Sequence, residues 1–272
     1  VVTGASGATG YLLPPTGAGW DYQIGGGYEV PADAGIVSRD REDVPADGVY
    51  NVCYINAFQT QQHEVATVWD ANRGLLVPKQ AYANGGIPAS ARPSRAADAR
   101  KYWAIDGAWN ELILDTSTAA KRAALLKIMK PWIDACASDG FDAIESDNLD
   151  SWTRTQAAYR LDRAHNVAFA KLLTDYAHSR GLASGQKNTT DIGAAAAARI
   201  GFDFAVAEQC GQYDECGAYT AVYGLRVLVV EYSLTGLRAA CADYPELAPI
   251  RRDLKLKVPG QSGYLRQTCA DL

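Results

Sequence analysis

The chain is poor in the residues that most often build metal and nucleophile sites. Its 272 residues include three histidines, His63, His165 and His178. None stands at metal-ligand spacing from another, and no Cys-x-x-Cys is present, so neither a metal nor a cofactor is expected. Serine-nucleophile motifs and a phosphate-binding loop are missing as well. No run approaches the roughly 18 apolar residues of a membrane helix, and no membrane partner is expected. Lys and Arg total 26 against 31 Asp and Glu, a net charge of −5. A nucleic-acid binder would want a basic face, which excludes that class. The start lacks the basic region and apolar centre of a signal peptide, so a secreted form would already have lost its leader.

A glycine-rich opening, Val1 to Gly10, imitates a dinucleotide-binding turn. That turn works only between a strand and a helix. Here no strand precedes it, Pro14-Pro15 denies the helix, and no Tyr-x-x-x-Lys follows. Residues 1–19 therefore read as a flexible segment ahead of one domain, 20–272. Six cysteines fit three disulfides and an oxidising compartment. Fifteen pairings are open to six cysteines. Cys210 with Cys216 is the local choice, Cys241 with Cys269 ties down the tail, and Cys53 with Cys136 remains. A secreted or extracellular monomer is expected.

Hydrophobic residues make up 48% of the chain, enough for a real core. Strand-like runs recur in the order 20–26, 48–56, 111–117, 141–147, 182–188, 202–208, 226–232 and, most weakly, 248–253. Residues 37–47 read as charged and turn-like, and 57–69 lead into a short helix. Residues 70–108 read as an irregular loop whose Tyr82, Trp103 and Trp109 could contact sugar. Helical patterns cover 118–138, with Pro131 as a kink point, 155–180 and 192–200, and a further helix closes over 239–244. The tail, 259–272, reads as loop. Strands alternating with helices argue a parallel sheet. Eight such units fit a (β/α)8 barrel of TIM type, with disulfides and long loops at its C-terminal face.

The acids gather at one end of that scheme. Asp21, Asn56, Asp115, Asp147, Lys187, Glu208 and Glu231 all stand at or next to strand C-termini, the catalytic face of such a barrel. Within Glu145-Ser146-Asp147-Asn148-Leu149-Asp150, period-two alternation points Glu145 and Asp147 the same way. An acidic pocket edged with tyrosine and tryptophan suits glycoside hydrolysis, which needs a nucleophile or base and a carboxylic acid that protonates the leaving oxygen. The strands ending in Asp147 and Glu208 are separated by one strand, which selects those two as the pair. A metal-dependent isomerase or hydratase is the alternative chemistry for clustered acids.

Six segments together resemble glycoside hydrolase family 114, the endo-α-1,4-polygalactosaminidases. They are Trp20 to Gly26, Tyr50 to Thr60, Leu114 to Ser117, Gly140 to Asn148, Gly185 to Asn188 and Phe202 to Cys210. The family's Glu-Pro-Asp-Asn appears as Glu145-Ser146-Asp147-Asn148, with serine for proline. Its two successive acids before a cysteine appear as Glu208-Gln209, leaving Glu208 alone. The resemblance implies internal cleavage of α-1,4-linked galactosamine polymers, Asp147 as nucleophile and Glu208 as acid/base. Those roles mean retention, with carboxyls about 5–5.5 Å apart; inversion would need about 6.5–9.5 Å. A cationic substrate gives Asp21, Asp115, Glu145, Asp150, Glu215 and Glu231 a reason to crowd one rim. Tyr22, Gln23, Tyr54, Asn56, Asn148, Lys187 and Tyr232 complete the expected sugar-binding set. The alternatives are a barrel that binds an amino-sugar polymer without cleaving it, motivated by Ser146 and Gln209, and an α-glycosidase for neutral galactosides.

Overall fold

Short runs of β-branched and aromatic residues make the strands of this protein. Its structure, a computed structural model, describes residues 10–155 and 161–272. In chain order the elements are β1 (Trp20–Gln23), β2 (Ile36–Asp40), β3 (Tyr50–Asn56), α1 (Ala96–Tyr102), β4 (Ile105–Asp106), β5 (Glu111–Leu112) and α2 (Ala119–Asp139). Next come β6 (Ala143–Asp147), α3 (Arg163–Ser179), β7 (Ala183–Lys187), α4 (Ala194–Ile200), β8 (Phe204–Glu208) and α5 (Cys216–Tyr223). The chain ends with β9 (Val227–Glu231), α6 (Leu234–Asp243), β10 (Ile250–Arg252) and β11 (Arg266–Thr268). These elements fall into two units. The first contains the chain up to Ile55, Pro131–Ser146 and Thr174–Leu272; the second contains Asn56–Lys130 and Asp147–Leu173.

The first unit is built on a nine-stranded sheet in the order β1-β2-β3-β6-β7-β8-β9-β10-β11. Strands β1 to β3 pair in parallel, as do β6 to β10, and β11 returns antiparallel to β10. The sheet curls. Trp20 on β1 donates its indole N–H to the carbonyl of Val229 on β9 at 3.1 Å, and Arg252 on β10 donates to the carbonyl of Tyr22. The expected eight-stranded barrel thus takes the coarser form of a curled, mostly parallel α/β sheet.

Two strand expectations are corrected. Residues 37–47, read as a turn, contribute most of strand β2, which lies between β1 and β3. Its polar residues tolerate burial because they are hydrogen-bonded. Ser38 donates to Glu145 at 2.8 Å, and Arg39 donates to Gln23, to the carbonyl of Tyr28 and to that of Val44. Conversely, 111–117 is not a strand of the sheet. Glu111 and Leu112 pair with β4 in a separate two-stranded antiparallel sheet, and Ile113 and Leu114 make only isolated bridges. A run of apolar residues cannot by itself declare which sheet it joins.

Alternation along the strands gives the sheet two faces. Trp20, Tyr22, Tyr50, Val52, Ala143, Ala183, Phe204, Val206, Leu228 and Val230 turn to one face and pack as a single buried cluster. Burying each large apolar side chain contributes roughly 1.5–3 kcal/mol. On the other face a disulfide joins Cys53 of β3 to Cys136 of α2, and two more join Cys210 to Cys216 and Cys241 to Cys269. Tyr11 donates to Asp203 at 3.0 Å and stacks on His178, so the chain is already packed ahead of β1.

In the second unit, Phe58 meets Phe169 edge to face, and Val77, Ile113 and Leu161 cluster. Asn166 links this unit internally, donating to the carbonyl of Leu149 and to Ser151. Pro131 lies inside α2 without ending it. The expected helix 155–180 is α3, shorter at its start; residues 156–160 of that expectation lie outside the described residues. Helices α1 and α5 and strand β11 arise in stretches read as loop or left unassigned. Among the described residues no helix is long and apolar enough to cross a membrane.

Phe204 needs the bare glycine opposite it. A Cβ on Gly185 would come within 2.7 Å of the fully buried Phe204 ring. Gly185→Ala is expected to destabilise the protein by about 1–3 kcal/mol through overpacking. Urea unfolding followed by tryptophan fluorescence measures this; an unchanged midpoint would contradict the close approach.

Candidate active site

Three strand ends carry charged side chains, and each is followed by a residue in the left-handed region. Asn148 (φ 64°) follows Asp147 on β6, Asn188 (φ 50°) follows Lys187 on β7, and Gln209 (φ 60°) follows Glu208 on β8. Asparagine tolerates this conformation and glutamine does so less readily. Such positions concentrate at functional sites, where the backbone must turn sharply behind an aimed side chain.

In the first unit Tyr22, Glu145 and Glu208 gather around a buried ammonium. Lys187, 2% exposed, points along the same face as Tyr22 and Glu145. Its ammonium donates to Tyr22 Oη at 2.6 Å and to Glu145 Oε1 at 2.9 Å, and stands 3.6 Å from Glu208 Oε2. Glu145 also accepts from Tyr22 at 2.7 Å and from Ser38 at 2.8 Å. A carboxylate wholly out of water is tolerable only when paired and hydrogen-bonded in this way. Glu208 is half-buried and reached from three sides. Asn188 donates to its Oε2 at 2.9 Å, Tyr232 donates to its Oε1, and Lys187 supplies the nearby charge. Its backbone amide donates to Asn188 Oδ1 at 2.8 Å, so Asn188 holds both ends of the residue.

In the second unit a separate polar cluster surrounds Glu111. Asn56 Oδ1 accepts from the backbone amide of Gln59 (3.2 Å) and from Asn148 Nδ2 (2.9 Å). That fixes the amide so that Asn56 Nδ2 donates to Glu111 Oε2 at 3.0 Å. Gln59, turned to suit both neighbours, donates to Glu111 at 3.0 Å and accepts from Arg154 at 3.2 Å. The Arg154 guanidinium is taken up by Asp106 (3.0 Å) and Asp150 (2.7 Å). Burial pushes the Glu111 carboxyl up to about 7, the Asn56 hydrogen bond pulls it back, and the charges of Asp147 and Asp106 raise it again. Burial likewise raises Asp150, against the pull of Arg154. Among the described residues no three His, Cys, Asp or Glu side chains are arranged to hold a metal ion.

The expected sugar-binding set divides by exposure. Asp147, Asp150, Glu208, Glu215 and Tyr232 are partly exposed and can meet a ligand. Asp21, Tyr22, Gln23, Asp115, Glu145, Lys187 and Glu231 are enclosed by protein, and Tyr54, Asn56 and Asn148 are nearly so. The surroundings observed for these residues are protein. Pleat parity explains two of them. Asp21 falls on the opposite face from Tyr22 and is paired with Arg252 at 3.2 Å and Arg266 at 3.3 Å. Glu231 falls on the opposite face from Tyr232, against α6. Asp115 accepts from the Ser117 amide at 3.0 Å and pairs with Lys121. Trp103 is buried and Tyr82 packs edge to face on Tyr102, whereas Trp109 is exposed.

Sequence reasoning missed Glu111, Asp106 and Arg154. All three lie in or after the stretch taken as loop or as a sheet strand. A glutamate opening an apolar run was the only signal available.

With this geometry in hand, comparison with known proteins is informative. The model of glycoside-hydrolase family GH114 matches residues 2–272. Among solved structures, Ega3 from Aspergillus fumigatus, in complex with galactosamine, superposes with a TM-score of 0.68 at 20% identity, over 98% of this chain and 99% of that one. The glycoside hydrolase domain of PelA from Pseudomonas aeruginosa superposes with a TM-score of 0.55 at 17% identity, over 90% and 97%. These two share the fold. A search of curated protein sequences finds no match.

The raised carboxyl of Glu111 has a consequence for stability. Between pH 4.5 and 7 the folded state keeps the proton that the unfolded state has released, so stability falls as pH rises through that window. One such group contributes at most about 1.4 kcal/mol per pH unit. Glu111→Gln is expected to flatten that fall. Urea midpoints at pH 4.5, 5.5, 6.5 and 7.5 check it; an identical slope in the variant would contradict the assignment.

Proposed function

The chain is a glycoside hydrolase of family GH114, and on that footing we propose that it cleaves internal α-1,4 linkages in galactosamine-containing polysaccharide with retention. The observation that carries the reading is Glu208. It is a partly exposed carboxyl at a strand's end, gripped by Asn188, Tyr232 and Lys187, in a chain that shares its fold with a structure holding galactosamine.

In this mechanism Asp147 attacks the anomeric carbon as the glycosidic C–O bond breaks, and Glu208 gives its proton to the leaving oxygen. Water then attacks the glycosyl–Asp147 ester. Glu208 takes the proton of that water, and Asp147 leaves as the carboxylate. Asn188 and Tyr232 hold the Glu208 carboxyl in register with the leaving oxygen, which is worth more than their hydrogen bonds alone because misplacement is costly. Asp150, partly exposed near Asp147, suits the ammonium of a non-acetylated sugar. The three disulfides support an extracellular setting.

Asp147→Asn and Glu208→Gln are each expected to lower kcat on α-1,4-galactosamine polymer by roughly 10³-fold or more while binding persists. Reducing-end release and sedimentation with the polymer measure the two properties. Full activity in either variant overturns the pair. Proton NMR of the first-formed anomer reports retention or inversion, and faster cleavage of a neutral galactoside would redirect the substrate class.

A further inference from the structure

Glu231 is the acid that the mechanism leaves without a task. It ends β9 and is fully buried. Its Oε1 accepts from the backbone amide of Gly211 at 2.7 Å, and the neighbouring Gln212 amide also favours the charged carboxyl. Among the described residues its Oε2 has no hydrogen-bond partner. That oxygen lies where a side chain on Gly236, in the first turn of α6, would have to be: a Cβ there would stand 2.1 Å from it. The Gly236 amide is already committed to Ser233 Oγ at 2.9 Å. Among the described residues no lysine, arginine or histidine pairs with this carboxyl, and burial pushes it up to about 7 against the pull of the two amides. Filling this place with an apolar side chain would avoid the cost of burying a carboxyl, so the hold on the Gly211 amide, with Gln212 beside it, is what the acid adds.

That hold falls on the segment that leaves Glu208. Gln209 turns with φ 60° and donates its amide to the carbonyl of Val230 at 2.8 Å. Cys210 is bonded to Cys216, and the amide of Glu215 donates to the carbonyl of Cys210. Gly211 lies so close to α6 that a Cβ on it would meet the Gly236 carbonyl at 2.6 Å. On the opposite face of the same strand end, Tyr232 donates to the Glu208 carboxyl. Two consecutive residues therefore hold Glu208 from two directions, Tyr232 by its carboxyl and Glu231 by the backbone three residues on.

We propose that Glu231 is a positioning residue: by anchoring the disulfide-closed loop 209–216 against α6, it sets the orientation of the Glu208 carboxyl. The proposal rests on the reading of Glu208 as acid/base. A misplacement near 1 Å can cost about 10²-fold in rate. Glu231→Ala is therefore expected to lower kcat by about 10- to 100-fold, with KM changed by less than about 3-fold. Glu231→Gln retains an oxygen for the Gly211 amide and is expected to recover most of the loss. Gly236→Ala, which pushes on Oε2 and leaves Glu231 in place, is expected to resemble Glu231→Ala.

The test measures kcat and KM on α-1,4-galactosamine polymer, after circular dichroism has shown that each variant is folded. In parallel it measures hydrogen exchange at the Gly211 amide and the carbon-13 titration of the Glu208 carboxyl. Faster exchange and a displaced Glu208 titration in Glu231→Ala, both restored in Glu231→Gln, support the proposal. Unchanged kcat, or unchanged exchange and titration in folded Glu231→Ala, overturns it. If the wild-type protein cleaves no such polymer, the proposed function fails, and the exchange and titration still decide whether Glu231 positions Glu208. If Glu231→Ala does not fold, Gly236→Ala and Glu231→Gln carry the comparison, and equal values for those two and the wild type overturn it.

Discussion

One buried ammonium holds the first unit's polar face together. Lys187 sits among Tyr22, Glu145 and Glu208, drawn from β1, β6 and β8, and spans strands that are not neighbours in the sheet. Removing the cation would strand a carboxylate with no water to turn to, and breaking such buried pairs costs about 3–5 kcal/mol. Glu145 therefore cannot be an independent acid. Its charge is spent on Lys187, Tyr22 and Ser38. Glu208 remains partly open, with its orientation set by donors instead of by full enclosure.

The curled sheet serves this arrangement by sorting side chains between two faces. Apolar residues below Lys187 fill one face, so the polar residues of that face collect at the strand ends. On the other face acids are consumed by structure. Asp21 binds Arg252 and Arg266, and Glu231 binds the loop behind Glu208. An acid near a strand end thus has two possible fates that differ by one residue of register. The second unit follows a different logic. Glu111 is held by amides while Arg154 is occupied by Asp106 and Asp150, and a carboxyl so placed titrates near neutrality.

Much of the fold was legible in the residues because period-two alternation and glycine stops are local properties. The runs ending at Asp147, Lys187, Glu208 and Glu231 are strands as their composition requires, and 118–138 is helical because its apolar spacing is three and four. The strand Ile36–Asp40 was illegible because Ser38 and Arg39 look like turn residues until their distant partners, Glu145 and Tyr28, are known. The run 111–117 misled for the opposite reason: it is apolar enough for a sheet strand, yet pairs with β4.

By itself the sequence determined which residues could do chemistry: a histidine-poor, acid-rich chain with carboxylates at strand ends, bearing the motifs of a glycoside hydrolase family. Only the tertiary structure decided which of those acids are open to a ligand. Asp21, Asp115, Glu145 and Glu231 have the same side-chain chemistry as Asp147, Asp150 and Glu208, and stand at comparable places in their segments. Their burial and partners separate them. A carboxylate's role is set by what surrounds it, and its surroundings come from residues as far away in sequence as Arg252 is from Asp21.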